Sequence, residues 1–406
     1  MTIAATIDLP DASRRIWDIA VVGAGPAGAL AGRELARRGY AVLLIDRASF
    51  PRWKVCGCCL NGHALAVLRA VGLGPTMARS GAVPLSGIRL AASGRVAEVP
   101  LSGSVSLSRE KFDGILVEAA IQAGAAFLPS TSASLSVGQA RKPDLRSEVR
   151  WLELRQGPVR EHVAARLVLA ADGLSGQLAA HIEGNNITTE TGARIGAGVI
   201  TSIAPDFYER GSIFMVCGRG GYLGLVRLED GRLNLAAALD PNWVRSRGGP
   251  GQAAVELLAE AGWPNVPDLA ELSWRGTPAL TRQARRRAAE RLFLIGDAAG
   301  YIEPFTGEGM AWALAAGKAA APLAERAAER WHPRFAQEWE AIYRRLLGPR
   351  QLVCRAVAAV LRSPRSMRIA VRWLALAPAL AMPVTRYLGC GEKPKSEFRC
   401  HGEGIA

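Results

Sequence analysis

A glycine-rich segment at residues 23–28 has the residue types and spacing of a phosphate-binding turn. It reads Gly-Ala-Gly-Pro-Ala-Gly and joins a short apolar run to an alanine-rich one. The first glycine permits a tight turn, the second lets a pyrophosphate approach the backbone, and the third lets a helix pack on the strand. Asp46 ends the next apolar run and can accept hydrogen bonds from a ribose. The pattern predicts a dinucleotide site, and the acidic residue favours FAD or NAD over NADP.

A second glycine-rich segment lies near the other end of the chain. Residues 293–300 form an apolar run that leads into Gly-Asp-Ala-Ala-Gly, and residues 304–310 read Pro-Phe-Thr-Gly-Glu-Gly-Met. Asp297 can accept hydrogen bonds from the hydroxyls of a sugar chain. The backbone donors of residues 307–310, at a helix start, can bind a carbonyl oxygen or an anionic ring. Two such loops, far apart in sequence, favour a long, extended cofactor.

Secondary-structure signals place both loops between strands and helices. Apolar runs at 17–22 and 40–45 flank a helical pattern at 27–38, which predicts a βαβ unit with parallel strands. Other predicted elements are helices at 62–71, 109–123 (with Ser108 as N-cap) and 309–328, strands over 86–100 and 196–238, and a helical remainder to 388 broken at Pro349, Pro364 and Pro378.

Composition excludes several classes of protein. The 406 residues include 49% hydrophobic and 21% charged residues, which is ordinary globular usage and excludes disorder and small disulfide scaffolds. The net charge is +14. A basic protein can bind a nucleic acid, an anionic membrane surface or a polyanionic ligand, so these are the candidate partners. No nucleic-acid-binding module or set of interleaved aromatic residues is present, so no nucleic acid is expected.

The surplus of positive charge is concentrated near the C-terminus. Residues 341–391 contain nine arginines and no acidic residue. Arginine alternates there with Trp373, Leu374 and Leu376. The pattern fits either a helix lying on a membrane surface or a capping helical layer with its arginines in water. The apolar run at 373–385 is too short to span a bilayer.

Cysteine usage favours a reducing compartment. Three of the seven cysteines lie at 56, 58 and 59, and no signal peptide is visible, so we expect a cytoplasmic protein with free thiols. The C-x-C-C spacing is not a zinc pattern, and no metal site is expected.

Four motifs together resemble one family. They are the 23–28 segment with Asp46, Pro-Arg-Trp-Lys-Val-Cys-Gly at 51–57, Ala-Asp-Gly-Leu-Ser at 171–175, and Gly296-Asp297 with its 304–310 extension. They resemble the FAD-dependent oxidoreductases of the para-hydroxybenzoate hydroxylase fold, in the branch of geranylgeranyl reductases, flavin-dependent halogenases and related monooxygenases.

This resemblance implies an α/β fold, in which a Rossmann-like FAD-binding domain is interleaved with an antiparallel β-sheet substrate domain and followed by a helical C-terminal region. The expected division is a polar leader (1–15), FAD-binding parts (16–85, 109–180 and 286–330), substrate-domain parts (86–108 and 181–285) and a helical region with a tail (331–406).

The resemblance also implies roles for individual residues. Gly23, Gly25 and Gly28 would hold the pyrophosphate, Asp46 the adenosine ribose and Asp297 the ribityl chain. Arg52 or Lys54 would reach the phosphates, Arg109 would touch the FAD, and Asp172 would lie beside the pyrophosphate. The full expected cofactor-binding set is Gly23, Gly25, Pro26, Ala27, Gly28, Asp46, Arg47, Arg52, Lys54, Cys56, Gly57, Arg109, Asp172, Gly173, Gly296, Asp297, Pro304, Gly307, Glu308, Gly309 and Met310.

Catalytic residues are less well defined. Cys56 is a candidate for a covalent or redox role. The alternative is that Cys56 is one of several small residues that only line the flavin pocket. Glu308 is a candidate proton relay. The alternative is that it has only a structural role in its loop. The mid-chain residues Phe214, Met215, Tyr222 and Leu225 are expected to wall the substrate pocket.

The chain departs from the family pattern at several places: Asp46 stands where the family usually has Glu, and the halogenase motif with two tryptophans is absent. Gly176-Gln177-Leu178 replaces an arginine that many hydroxylases carry after the 171–175 motif, and residues 222–227 lack the aromatic Phe-Pro strand of the reductases. We therefore expect a monooxygenase that hydroxylates or epoxidises an apolar aromatic, polyketide or isoprenoid-like molecule through a flavin hydroperoxide. The alternative is a reductase of isoprenoid double bonds. A flavin electron carrier or a halogenase is less favoured. NAD(P)H or a partner reductase would supply electrons.

Overall fold

The structure is a computed structural model, and it describes residues 2–136, 148–182, 184–303, 305, 307–383 and 387. Ten α-helices are found in this part of the chain. They are α1 (Leu9–Ser13), α2 (Pro26–Ala36), α3 (Gly62–Ala70), α4 (Gly74–Ala78), α5 (Arg109–Gln122), α6 (Pro241–Ser246), α7 (Pro250–Ala261), α8 (Glu308–Glu329), α9 (Arg334–Arg362) and α10 (Pro364–Leu376).

Nineteen strands are found in the same described residues. They are β1 (Ile16–Val22), β2 (Val42–Ile45), β3 (Cys59–Leu60), β4 (Val83–Ala92), β5 (Arg95–Ser106), β6 (Ala126–Leu128), β7 (Ser132–Leu135), β8 (Arg150–Gln156), β9 (Val159–Ala170), β10 (Ile187–Thr189), β11 (Ile195–Thr201), β12 (Ser212–Gly218), β13 (Gly221–Arg227), β14 (Leu233–Leu239), β15 (Arg275–Ala279), β16 (Arg282–Ala284), β17 (Ala288–Ala289), β18 (Leu292–Leu294) and β19 (Gly300–Tyr301).

The first sheet positions both glycine-rich loops. Its parallel core has the order β18-β9-β1-β2-β6, and β17, β8 and β7 extend it with antiparallel pairs. The predicted βαβ unit is confirmed, because β1 and β2 pair in parallel on either side of α2. Helices α2 and α8 cross closely, since a Cβ at Gly317 would lie 2.3 Å from the Ala27 carbonyl oxygen.

The second sheet has the order β15-β11-β14-β13-β12-β4-β5-β3. Its pairs are antiparallel except for the parallel pair of β12 with β4. One face packs on α7, and the opposite face packs with Met367 and Val371 of α10. The expected α/β architecture with a strand-rich middle and a helical C-terminal region is therefore confirmed. A short third sheet contains β10, β16 and β19.

The structure adds one helix that we did not predict near the N-terminus and lacks one predicted break near the C-terminus. The predicted polar leader contains α1, in which Asp8 caps the helix and the Trp17 indole donates to the Ala12 carbonyl at 2.9 Å. Helix α1 has five residues, which is too short for a periodic apolar pattern, so the N-cap residue Asp8 is its main signal in the sequence. The predicted break at Pro349 is absent, because α9 runs through it and packs its flanking turns through Leu347 and Cys354. That packing offsets the one helical hydrogen bond that a proline removes.

Candidate active site

A cavity of about 650 Å³ lies between the two sheets. Its floor is formed by residues 25–27 at the start of α2 and by Gly307, Gly309 and Met310 at the start of α8, so both glycine-rich loops face one space. Its walls come from β4, β5 and β12–β14, and α9 and α10 cover it from the other side. Most of the lining side chains are apolar.

The glycines of the first loop have different structural roles. Gly23 has a φ of +104°, and a Cβ there would lie 2.2 Å from the Ala171 carbonyl oxygen. A Cβ at Gly28 would lie 1.9 Å from the Gly23 carbonyl oxygen. Gly25, by contrast, borders the cavity. A Cβ there would meet no atom nearer than Arg52 Nη2, at 3.5 Å. Gly23 and Gly28 therefore shape the turn, and Gly25 leaves its surface open to a ligand.

Asp46 fixes the shape of this turn as well as presenting a carboxylate. Its Oδ2 accepts a hydrogen bond from the Ala24 N–H at 2.8 Å, and its Oδ1 accepts one from the Ala48 N–H at 2.9 Å. Arg52 places Nη2 3.5 Å from Asp46 Oδ2. The carboxylate is thus held at the end of β2, and the ribose contact that the resemblance implies remains a prediction.

A buried cluster of arginines lies beside the first loop. Arg109 donates from Nε and Nη2 to the two oxygens of Asp113, at 2.9 and 2.7 Å, and Arg52 Nη1 lies 3.2 Å from the same carboxylate. Asp113 was not among the predicted site residues. Its i, i+4 spacing from Arg109 on α5 is the signal that could have found it. The arrangement holds two guanidinium groups in place at one end of the cavity.

Lys54 lies between the 171–175 motif and the second glycine-rich segment. Its Nζ lies 3.7 Å from Asp297 Oδ2 and 3.4 Å from the position of a Cβ at Gly173. All three residues line the cavity. Loss of water around the amine lowers the pKa of Lys54, and the Asp297 carboxylate opposes that shift. Gly296, with a φ of +61°, turns the chain so that Asp297 reaches this position.

Cys56 lines the cavity together with Gly57, Cys58 and Cys59. Its Sγ accepts a hydrogen bond from the Cys58 N–H at 3.4 Å. A hydrogen bond from the Cys58 thiol is the main cause that lowers the pKa of the Cys56 thiol. The positive charge of Arg109 and the Cys58 N–H also lower it, and burial has the opposite effect. Burial raises the pKa of Cys59 to about 12. Cys56 is therefore the thiol of this group that ionises first.

Glu308 faces a buried polar cluster and does not border the cavity. Its Oε1 accepts from Asn61 Nδ2 at 2.5 Å, its Oε2 accepts from Trp312 Nε1 at 2.7 Å, and Arg350 Nη1 lies 3.2 Å from Oε2. Burial raises the pKa of Glu308, and Arg350 opposes the shift. The buried His63 lies nearby, and desolvation followed by the charge of Arg350 lowers its pKa to about 4. This geometry favours a structural role for Glu308, which fixes the start of α8.

Asp172 and Arg47 also point away from the cavity. Asp172 Oδ2 accepts a hydrogen bond from the Leu178 N–H at 3.0 Å, and a Cβ at Gly176 would lie 2.2 Å from the Asp172 carboxylate carbon. The Asp172 carboxylate therefore leaves no room for a side chain at position 176. This explains why a glycine occurs in the segment where many hydroxylases carry an arginine. Arg47 Nη2 donates to Ser175 Oγ at 3.0 Å. Gly173, in contrast, borders the cavity, and Pro304 lies outside the described residues.

Three of the four residues predicted to wall the substrate pocket border this cavity. Met215 and Tyr222 line the cavity, and Leu225 borders it although its side chain belongs to the cluster on the opposite face. The placement of Phe214 was wrong, because it packs on that opposite face with Tyr208 and Trp263. Successive strand residues point to opposite faces, and both faces of β12 are buried.

The C-terminal helices supply a wall that sequence reasoning missed. Val357 and Leu361 of α9 and Met367, Trp373 and Leu374 of α10 line the cavity. In α10 the spacing of Met367, Val371 and Leu374 is i, i+4, i+7, which is the signal for a buried helix face.

A family model of the FAD binding domain matches residues 17–347 of this chain. The chain belongs to the FAD binding domain family. The match includes both glycine-rich loops, the whole second sheet and α8, and it ends within α9. The protein is an FAD-dependent oxidoreductase.

Relatives narrow the resemblance further. The chain is 29% identical over 371 residues to a menaquinone reductase of Mycobacterium tuberculosis, with 86% of this chain and 85% of the relative covered. It is 28% identical to digeranylgeranylglycerophospholipid reductase 2 of Methanopyrus kandleri, with 80% and 82% covered. A solved geranylgeranyl bacteriochlorophyll reductase-like structure from Thermoplasma acidophilum superposes with a TM-score of 0.73, at 20% identity, covering 92% of this chain and 94% of that one. The predicted resemblance to the branch of geranylgeranyl reductases, flavin-dependent halogenases and related monooxygenases is confirmed.

The described residues fit FAD. The open surface of Gly25 lies at the N-terminus of α2, where unpaired backbone donors favour a phosphate. Arg52 and Arg109 stand next to it, and the buried Arg52 Nε has no hydrogen-bond partner among the described residues. At the other end, Gly307 and Gly309 present the start of α8 to the cavity. These groups would hold the pyrophosphate and the flavin ring respectively.

Proposed function

We propose that this FAD-dependent oxidoreductase reduces carbon–carbon double bonds in the isoprenoid chain of a lipid. When bound, reduced FAD (FADH2) would supply both the hydride and the proton that saturate the double bond, which leaves oxidised FAD. The protein orients the double bond and excludes bulk water. The electrons come from NAD(P)H or from a partner reductase.

The shape and chemistry of the cavity carry this proposal. Its ionisable lining residues are Lys54, Cys56, Cys58, Cys59, Arg109, Tyr222, Asp297 and Tyr301. The charged members belong to the end that fits FAD, and the walls contributed by β4 and the C-terminal helices are apolar, as at Ile88, Leu90 and Leu361. A long hydrocarbon chain satisfies such walls, whereas a small polar aromatic substrate would leave its own polar groups unpaired.

The names of the relatives support the same substrate class. One relative is named for menaquinone and another for a phospholipid with two geranylgeranyl groups. Both are lipids with isoprenoid chains, and both relatives are named as reductases. The monooxygenase that we expected from the sequence uses the same cofactor, and the relatives give it no comparable support.

The two reactions are separated by the role of oxygen. The purified flavoprotein is reduced with dithionite and incubated without oxygen with a digeranylgeranyl glycerolipid, which has no quinone ring that the reductant itself could reduce. We expect products that gain two hydrogens for each reduced double bond, detected by mass spectrometry. Products that appear only in air and gain one oxygen atom would instead support the monooxygenase.

A further inference from the structure

Helix α10 has an exposed apolar strip on the side that faces away from the protein core. Its inward face contains Met367 and Val371. Ile369, Trp373 and Leu376 follow one another at i, i+4, i+7 and are 58%, 58% and 71% exposed. Three large apolar side chains in one strip are unusual for a helix that only caps a core.

A strip of arginines runs beside these apolar residues. Arg365, Arg368 and Arg372 have i, i+3, i+7 spacing and are all exposed. None of the three forms an ion pair with any residue that the structure describes. No acidic residue occurs anywhere in residues 341–391. The surface therefore offers both apolar contacts and uncompensated positive charge.

The cavity opens at this surface. Val360, Trp373 and Leu380 line the cavity and are also 40%, 58% and 56% exposed, so they lie where the cavity meets solvent. Ser102 of β5 is exposed and lines the cavity on the facing side. Trp373 of the helix that carries the apolar and arginine strips therefore forms part of the mouth.

We infer that this face docks on the surface of an anionic lipid bilayer. Ile369, Trp373 and Leu376 enter the acyl boundary, and Arg365, Arg368 and Arg372 bind lipid phosphates. The docked cavity mouth then opens into the membrane, and a lipid chain enters without crossing water. The docking itself does not depend on which reaction the flavin performs.

The charge of this face favours a bilayer surface over a second copy of the chain, and the length of the helices disfavours spanning of the membrane. A second copy of this face would bring its own unpaired arginines against the first, which costs free energy. Spanning is also disfavoured, because no helix among the described residues is long and apolar enough to cross a bilayer. A basic helix with tryptophan and leucine on its outer side matches the interfacial class.

Vesicle flotation with the intact flavoprotein tests the docking without turnover. The protein is mixed with phosphatidylcholine vesicles, with or without phosphatidylglycerol, and the bound fraction is measured against lipid concentration. We expect binding that requires phosphatidylglycerol and weakens with added salt. Equal binding to neutral vesicles, or none to anionic ones, would overturn the inference.

Matched variants locate the contact. Replacing Arg365, Arg368 and Arg372 with Ala should weaken binding on the order of 100-fold, from the usual effect of each basic residue near an anionic surface. Replacing the exposed Arg79, Arg160 and Arg219 with Ala removes the same net charge from elsewhere and should change binding little. Equal losses in the two triple variants would mean that net charge alone drives binding, which contradicts a specific face.

A separate variant tests insertion of the apolar strip. Ile369→Ser combined with Leu376→Ser should abolish flotation while the flavin content and circular dichroism stay unchanged, because neither residue lines the cavity. Brominated acyl chains should quench the fluorescence of the parent protein more than that of Trp373→Phe. Equal quenching in both, or a concentration-dependent dimer that the double variant abolishes, would overturn membrane insertion.

Discussion

Arg350 of α9 places Nη1 3.2 Å from Oε2 of Glu308, the first residue of α8, and the carboxylate is fully buried. The C-terminal region is thereby tied to the loop that fits the flavin ring. Glu308 also accepts hydrogen bonds from Asn61 and Trp312, so one carboxylate joins three parts of the chain.

Glu308→Gln should lower the free energy of unfolding by about 3 kcal/mol, because it leaves the Arg350 charge without its buried carboxylate. Thermal and denaturant unfolding would measure the loss. Glu338→Gln is the control, because its pair with Arg326 is largely exposed and should contribute less than about 1 kcal/mol. Equal losses in the two variants would contradict the assignment of Glu308 as a buried structural link.

Gly23→Ala should weaken FAD binding at least about tenfold, or about 1.4 kcal/mol. A Cβ there would lie 2.2 Å from the Ala171 carbonyl oxygen, at a φ that side chains rarely adopt. Flavin absorbance and fluorescence titration would measure the change. Gly32→Ala in α2 is the control, since its Cβ would make an ordinary contact of 3.7 Å with Val42. FAD affinity that is unchanged in Gly23→Ala would exclude the first loop from cofactor binding.

Cys56 should react with iodoacetamide at lower pH than an ordinary thiol. Its pKa is lowered by Cys58 and Arg109, so the reactive thiolate forms as the pH rises through a value below the usual one of about 8.5. Mass spectrometry of the alkylated protein against pH would give the midpoint. Cys58→Ala should move that midpoint upward, whereas Cys354→Ala, outside the cavity lining, should not. A midpoint at or above the usual value would contradict the described geometry.

Gly224→Leu should block the substrate cavity without removing the flavin. Gly224 lines the cavity beside Met215, whose sulfur would lie 2.8 Å from a new Cβ. We expect kcat/KM to fall at least about tenfold with full flavin content. Leu223→Met, on the opposite face of β13, should leave kcat/KM nearly unchanged. If kcat/KM stays the same in Gly224→Leu, the substrate binds elsewhere.

The parts of the site that were predictable from the sequence are those whose residues are close together in the chain. The turn at Gly23–Gly28 lies between one strand and one helix, so its type follows from local pattern. The Ser108 cap is equally local, and its side chain accepts from the Lys111 N–H.

The parts that were missed depend on contacts between distant segments. The face on which Phe214 lies was not readable, because β12 is buried on both faces and shows no polar alternation. The covering of the cavity by Trp373 and Leu374 depends on how α10 packs against β4 and β5. Glu308 belongs to the predicted flavin loop, yet its side chain turns to Arg350, which only the tertiary structure reveals.

The most direct test of the proposed reaction is a single turnover without oxygen. The flavin of the purified protein is photoreduced, and the reduced protein is mixed in a sealed stopped-flow instrument with a digeranylgeranyl lipid. We predict return of the absorbance of oxidised flavin, with one double bond reduced for each flavin oxidised. A flavin that stays reduced with this lipid and with polyprenyl menaquinone until air is admitted, and then yields an oxygenated lipid, would contradict the reductase.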